Sequence, residues 1–238
     1  SANAPMGKLH PITTMSNKVK SIMAELGFEE MEGEIIESSF WNFDALFQPQ
    51  DHPARELADT FYLDGEMELP KDRQLIERVK ESHETGWKYK WNPKEAMKRV
   101  LRTHTTALSA RYLAGTKDSR PRLYFAVGRV FRNEATDATH EMQFFQIDGV
   151  MAGENINIAD LKGVLTHFYK KMLGDNVEME FRPSFFPFVE PGLEVWLKFN
   201  GKWMEVMGAG MFHPNVLKNL GLNPKKIQIL AFGGGLDR

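Results

Sequence analysis

The sequence reads as an α+β chain, with hairpins and amphipathic helices in separate stretches. Three observations carry that reading. Residues 123–150 run as strand, polar loop, strand. Tyr124, Ala126, Gly128 and Val130 alternate with Phe125, Val127, Arg129 and Phe131, and a second apolar run covers 144–151. Leu193 to Val206 reads as another hairpin, turning at Asn200-Gly201, a pair suited to the left-handed backbone of a two-residue turn. Apolar residues recur at helical spacing over residues 11–27 and again over 156–173. The chain carries neither a G-x-G-x-x-G fingerprint nor a P-loop, so a Rossmann-type nucleotide fold is not expected.

Taken in order, Ile12, Met15, Val19, Ile22, Met23 and Leu26 form a helical stripe with lysines opposite, and Gly27 ends it. Phe28 to Ile36 reads as a strand. Residues 38–58 hold two prolines and several capping residues and read as an ordered loop, with His52 as a hydrogen-bonded structural histidine. Asp59 to Leu63 returns to strand, and Lys71 to Ser82 is a charged helix. Gly86 to Trp91 mixes aromatics with lysines; it reads as a surface strand with snorkelling lysines or as a patch for bases or a partner. Asn92-Pro93 opens a helix, with Asn as its cap and Pro in its first turn. In residues 101–114, hydroxyls and an imidazole stand between a strand end and a helix start. They can bind an ammonium or a carboxylate, or Thr105 or Thr106 can simply cap the helix. Ile158, Leu161, Leu165 and Phe168 make one core-facing stripe. Residues 177–199 alternate as strand, with an apolar run after Ser184 that reads as buried sheet. Phe186 and Phe188, two apart, face the same way from a strand. Residues 227–238 read as a glycine-rich strand ending in Arg238.

Composition sets bounds. The chain has 238 residues, enough for one large domain or two small ones. With 30 basic and 32 acidic residues the net charge is −2, so bulk charge would not drive nucleic-acid binding. No cysteine is present, which excludes disulfides, thiolate metal sites and a thiol nucleophile. No apolar run approaches the roughly 20 residues of a membrane span, and no signal-peptide pattern opens the chain. A soluble, cytoplasmic protein without membrane contact is the expectation. Residues 1–6 read as a cloning remnant or frayed end, and residues 7–238 as the folded domain.

The loop of the first hairpin is long and polar, which suggests work at its tip. Arg132 and Glu134 share a face, as do Gln146 and Asp148. An arginine there can hold a phosphate, and an amide with a carboxylate suits a small polar ligand. Spacing alone leaves open an exposed hairpin with solvated charges.

Phe131-Arg132-Asn133-Glu134, followed by Asp137-Ala138-Thr139-His140, resembles motif 2 of class II aminoacyl-tRNA synthetases. More narrowly it is similar to the α subunits of phenylalanyl-tRNA synthetases of archaeal and eukaryotic type. The likeness runs from about Gly7 to Arg238. Residues 15–53 match motif 1, whose helix and strand build a subunit interface in this class, 123–150 motif 2, and 227–238 motif 3. Between them, Asn42-Phe43-Asp44-Ala45-Leu46, Asp51-His52-Pro53-Ala54-Arg55, Arg102-Thr103-His104-Thr105-Thr106 and Gly208-Ala209-Gly210-Met211 match segments of the family. The resemblance implies the class II catalytic fold, a mostly antiparallel sheet of six to seven strands flanked by helices.

It also implies residue roles. Thr106 contacts the amino acid, with His104 beside it, and Gln146, Asp148 and Glu134 fix its polar end. Phe186, Phe188 and Phe212 line a side-chain pocket for L-phenylalanine, while Ala231 and Gly233 leave room for ligand. A tyrosine would bury its hydroxyl there without a partner, at roughly 1–3 kcal/mol. Arg132, His140, Phe144 and Arg238 hold ATP, and Glu190 holds Mg²⁺ in a site shared with a β subunit. The implied reaction is in-line attack of the phenylalanine carboxylate on the ATP α-phosphate. The acyl group then passes to tRNA(Phe), within an α₂β₂ assembly. Catalysis of this kind rests on positioning and electrostatics, with Arg132, Glu134 and Arg238 as its catalytic residues. Where the family has His-Gln-x-Glu this chain has Phe145-Gln146-Ile147-Asp148, and the shorter acid reaches about 1.5 Å less far. The family's N-terminal tRNA-binding region has no counterpart here, so a catalytic domain is expected. Two other readings stay open: a paralogue that activates an amino acid without charging tRNA, and an inactive structural subunit.

Overall fold

The computed structural model describes residues 11–56, 59–116, 118, 120–133, 143–186 and 188–236. The apolar stripe at the start becomes α1 (Pro11–Glu25), which buries Val19, Ile22 and Met23 and is followed by Gly27 at φ +88°, a conformation glycine adopts without strain. The chain then contributes β1 (Glu29–Glu30) and, separately, β2 (Ile36–Ser38). The single strand expected over 28–36 is therefore two short ones, in different sheets. The break has a cause: the Met31 N–H still reaches Phe125 O at 2.7 Å, but Glu32 N–H donates to the Tyr112 hydroxyl. At Gly33 any side chain would overlap Leu108, so the chain passes close beneath that residue.

The helix α2 (Ser39–Asn42) and short turns at 44–46 and 53–55 lead to β3 (Tyr62–Glu66) and α3 (Arg73–Gly86). Asp72 caps α3 through the Gln74 and Leu75 amides. Residues 87–92 are not the strand expected there. Trp91 is buried and donates Nε1–H to Asp44, Tyr89 bonds the His83 ring, and Trp87 stacks on Phe47. The rings pin a loop, while Lys88 and Lys90 face solvent. The helix α4 (Pro93–Ala96) carries the expected Asn92 cap. Then come β4 (Lys98–Leu101), α5 (Thr106–Ala114), the long hairpin β5 (Arg122–Phe131) and β6 (Gln143–Gly153), and α6 (Ile158–Leu173) with its Asn157–Asp160 capping box. The last part is β7 (Met179–Phe186), β8 (Val189–Phe199), β9 (Lys202–Phe212), α7 (Pro214–Asn219) and β10 (Gln228–Gly235). As the sequence predicts, β8 and β9 turn at Asn200 (φ +49°) and Gly201 (φ +78°).

Seven strands form the main sheet in the order β1-β5-β6-β10-β9-β8-β7. Only β1 with β5 is parallel; the other pairs are antiparallel. The last strand, β10, inserts between β6 and β9 and joins two hairpin systems. A second sheet, β2-β4-β3, has three antiparallel strands; β3 lies three residues beyond the strand expected over 59–63, and the pairing of strands this short was not foreseen. Side chains alternate across a strand, so Phe125, Ile147, Met151, Leu230 and Phe232 pack against α1 and α6 on one face. Tyr124, Ala126, Val150 and Ala231 belong to a second core, with α2, α3, α5 and α7, on the other. No helix of the described residues is long and apolar enough to cross a membrane.

Candidate active site

A cavity of about 270 Å³ opens on the α5 side of the main sheet, near the lower bound of roughly 300 Å³ for small-molecule sites. The sheet register explains its floor. Asp148 of β6 faces Ala126 on one side and Gly233 on the other. A Cβ at Gly233 would overlap Asp148 Oδ1, and one at Gly208 would come within 2.9 Å of the Phe186 ring. Glycines at these two positions therefore leave room for a buried carboxylate and a ring.

The polar end gathers at the start of α5. Asp148 Oδ2 accepts from the Thr105 N–H at 3.1 Å and from the Thr105 hydroxyl. Thr105 makes no side-chain cap; its hydroxyl and its N–H are both turned to the acid on the neighbouring strand. Burial pushes Asp148 up to about 6, against the opposing pull of the Thr105 bonds and of Arg132. His104 is lowered to about 4, first by burial and then by Arg132 and Arg102, so its ring is neutral. Its Nε2 lies 2.8 Å from the Asn42 carbonyl. A carbonyl only accepts, so Nε2 carries the hydrogen and Nδ1 is a bare acceptor. That Nδ1 and Gln146 Oε1 are buried with no partner among the described residues. Two bare acceptors beside a buried carboxylate fit a group rich in N–H, such as a primary ammonium. Arg132 lies at the same end. Its Nε donates to Thr103 O at 3.3 Å, and its guanidinium stands 5.1 Å from the Phe144 ring centre. Arg102 spans Gly128, where a Cβ would overlap its guanidinium, and donates to Arg129 O at 2.8 Å.

The opposite wall is apolar: Phe186, Phe188, Val189, Ala209, Ala231 and Phe232. Nine of the residues singled out from the sequence thus meet around one space: His104, Thr106, Arg132, Gln146, Asp148, Phe186, Phe188, Ala231 and Gly233. Phe186 and Phe188 do so for a reason other than strand alternation. Phe186 ends β7, whereas Phe188 lies in the turn before β8. The run after Ser184 is not all buried either, since Phe185 is 85% exposed. Phe212 does not line the cavity; it is buried and backs Phe188 edge-on at 6.0 Å. Phe144 is buried beneath Arg132. Glu134, His140 and Arg238 lie outside the described residues. Glu190 is an exposed residue of β8, and no group of three acidic or histidine side chains among the described residues could hold a metal. A lone exposed carboxylate does not make a Mg²⁺ site, so the described residues do not fit that ion by themselves. Sequence reasoning missed Ser109, Gly149, Val189, Gly208, Ala209 and Phe232 as lining. Of these, Gly208 and Ala209 carried a signal, in the Gly208-Ala209-Gly210-Met211 segment.

A family model described as the tRNA synthetases class II core domain (F) matches residues 1–238. The chain belongs to the class II tRNA synthetase core family. Within that family it is 45% identical to the phenylalanine–tRNA ligase alpha subunit of Methanocaldococcus jannaschii, over 97% of this chain and 48% of that protein. It is 41% identical to the protein of that name from Saccharomyces cerevisiae and 44% identical to that of Rattus norvegicus, each over 98% of this chain and 48% of the relative. The class II core chain thus spans about half the length of these curated relatives. Among solved structures, two of pyrrolysyl-tRNA synthetase from Desulfitobacterium hafniense superpose with a TM-score of 0.64, at 15% and 17% identity, over 96% of this chain and 67% of theirs. At that identity the likeness speaks for the fold alone.

Proposed function

We propose that the chain is the catalytic part of a phenylalanine–tRNA ligase alpha subunit, activating L-phenylalanine with ATP and passing it to tRNA(Phe) together with a beta subunit. The observation that carries this reading is one cavity with an acceptor-rich polar end and a benzyl-sized aromatic end. The alpha-subunit relatives named above support the choice of amino acid. Gln146, His104 and Asp148 bind the α-ammonium, Thr106 stands beside it, and Phe186, Phe188, Val189 and Ala231 enclose the ring. Edge-to-face ring contacts add about 0.5–1.5 kcal/mol to area burial.

Held there, the substrate carboxylate lies toward Arg132, where it attacks the ATP α-phosphate. Arg132 offsets the charge that develops on the phosphate, and the pyrophosphate leaves. No protein nucleophile takes part; the contribution is position and preorganised charge. Glu134, His140 and Arg238 complete the nucleotide end in this reading. ATP–pyrophosphate exchange driven by phenylalanine tests the first half-reaction, and aminoacylation with the beta subunit and tRNA(Phe) tests the second. Exchange driven by another amino acid, with no phenylalanine binding at millimolar concentration, would overturn the assignment.

A further inference from the structure

Resting on the reading of the cavity as an aromatic amino-acid pocket, we propose that Ser109 is a specificity-determining residue. Its hydroxyl offers a hydrogen bond to a hydroxyl carried on the substrate's ring. Ser109 lines the cavity, is fully buried, and its Oγ has no partner among the described residues. A serine or threonine in a helix commonly turns its hydroxyl back to the carbonyl one turn earlier. Three hydroxyls of this chain show that habit: Ser82 donates to Val79 O at 2.9 Å, Thr85 to Glu81 O at 2.7 Å, and Thr116, just past α5, to Tyr112 O at 3.3 Å; Ser39 of α2 is buried without a partner as Ser109 is, but it does not line the cavity. Ser109 does not turn back in this way, so a buried donor is left over at the wall of a space built for ligand. Such a group costs free energy unless something binds it.

Its position decides which part of the ligand it would meet. Thr105 and Thr106 stand at the start of α5, beside Asp148. Ser109 follows Thr106 by three residues, on the same helix face and about 4.5 Å farther along the axis. The amino acid's ammonium occupies the Asp148 end, so Ser109 stands off toward the ring. A pocket for plain phenylalanine has no use for a hydroxyl there. With Ser109 present, a hydroxylated ring is not penalised for a missing partner, and only space selects against it.

The test is calorimetric titration of phenylalanine, 3-hydroxyphenylalanine and 4-hydroxyphenylalanine into the chain and its Ser109→Ala variant. One net hydrogen bond corresponds to about a threefold to tenfold change in Kd. The expected result is a rise of that size in the ratio of Kd for at least one hydroxylated analogue to Kd for phenylalanine. A general loosening of α5 would weaken all three ligands together and leave the ratios alone. Unchanged ratios, or hydroxylated analogues that fail to bind the unaltered chain while phenylalanine binds, would overturn the role of Ser109 and leave the proposed function standing. Failure of phenylalanine itself to bind would instead sink the reading of the cavity.

Discussion

At the scale of single residues, Asp148 and Gly233 act as a pair. The glycine has no side chain because the acid's Oδ1 occupies that space. Gly233→Ala would push Asp148 off Thr105 or spread β6 from β10. We expect phenylalanine affinity to fall at least tenfold, read by calorimetry, with strand content kept in circular dichroism. Asp148 also sets a pH dependence. Its pKa is raised to about 6, so it is charged above that value and gains a proton below it. If the charged form holds the ammonium, affinity is flat above pH 6 and falls by up to tenfold per unit below it. His104, lowered to about 4, stays neutral over most of that range and does not oppose the trend. Asp148→Asn should bind more weakly and without this slope; a variant with the slope intact would assign the titration elsewhere.

At the scale of elements, the segment between α2 and β3 is held by a buried ion pair as much as by its two short turns. Asp44 accepts from Arg55 at 2.7 Å, Trp91 at 2.7 Å and Gln50 at 3.0 Å, and both charged side chains are almost fully buried. Removing one member of such a pair strands a charge, at about 3–5 kcal/mol. Arg55→Met should therefore lower urea stability by that amount, and the fluorescence of Trp91, one partner of the stranded acid, should follow the loss. The turn at Asn200-Gly201 is a contrasting case. Gly201 is at φ +78°, where a side chain costs roughly 1–2 kcal/mol. Gly201→Val should reduce stability by about that much and leave phenylalanine affinity within twofold, because Gly201 does not line the cavity.

At the scale of the molecule, β10 joins the two halves of the sheet, and Phe232 on it belongs both to the α1–α6 core and to the cavity lining. Its ring covers Gly149 and meets Phe28 edge-on at 6.0 Å. Phe232→Ala would open a void beneath the pocket. We expect a loss of about 3–5 kcal/mol, measured by denaturation, together with weaker ligand binding. A stability loss without any change in binding would show that the two faces of β10 act independently.

Much of the architecture was legible because it is local. Helical spacing located α1 and α6, and Asn200-Gly201 located a hairpin by its backbone demands. The motif resemblance marked nine residues that do meet around one cavity. What stayed hidden depended on partners distant in sequence. The break of the chain at Met31 answers to Phe125, Tyr112 and Leu108. Thr105 gives up its capping role because its hydroxyl is drawn to Asp148, some forty residues on. Phe188 lines the cavity from a turn, and Phe212 stands behind it. Ser109 reads as an ordinary helical serine until the missing partner is seen. Periodicity, caps and turn chemistry are set by neighbours along the chain and so belong to the sequence. Buried polar atoms, close glycine contacts and the shape of the cavity are set by neighbours through space, and only the tertiary structure decides those.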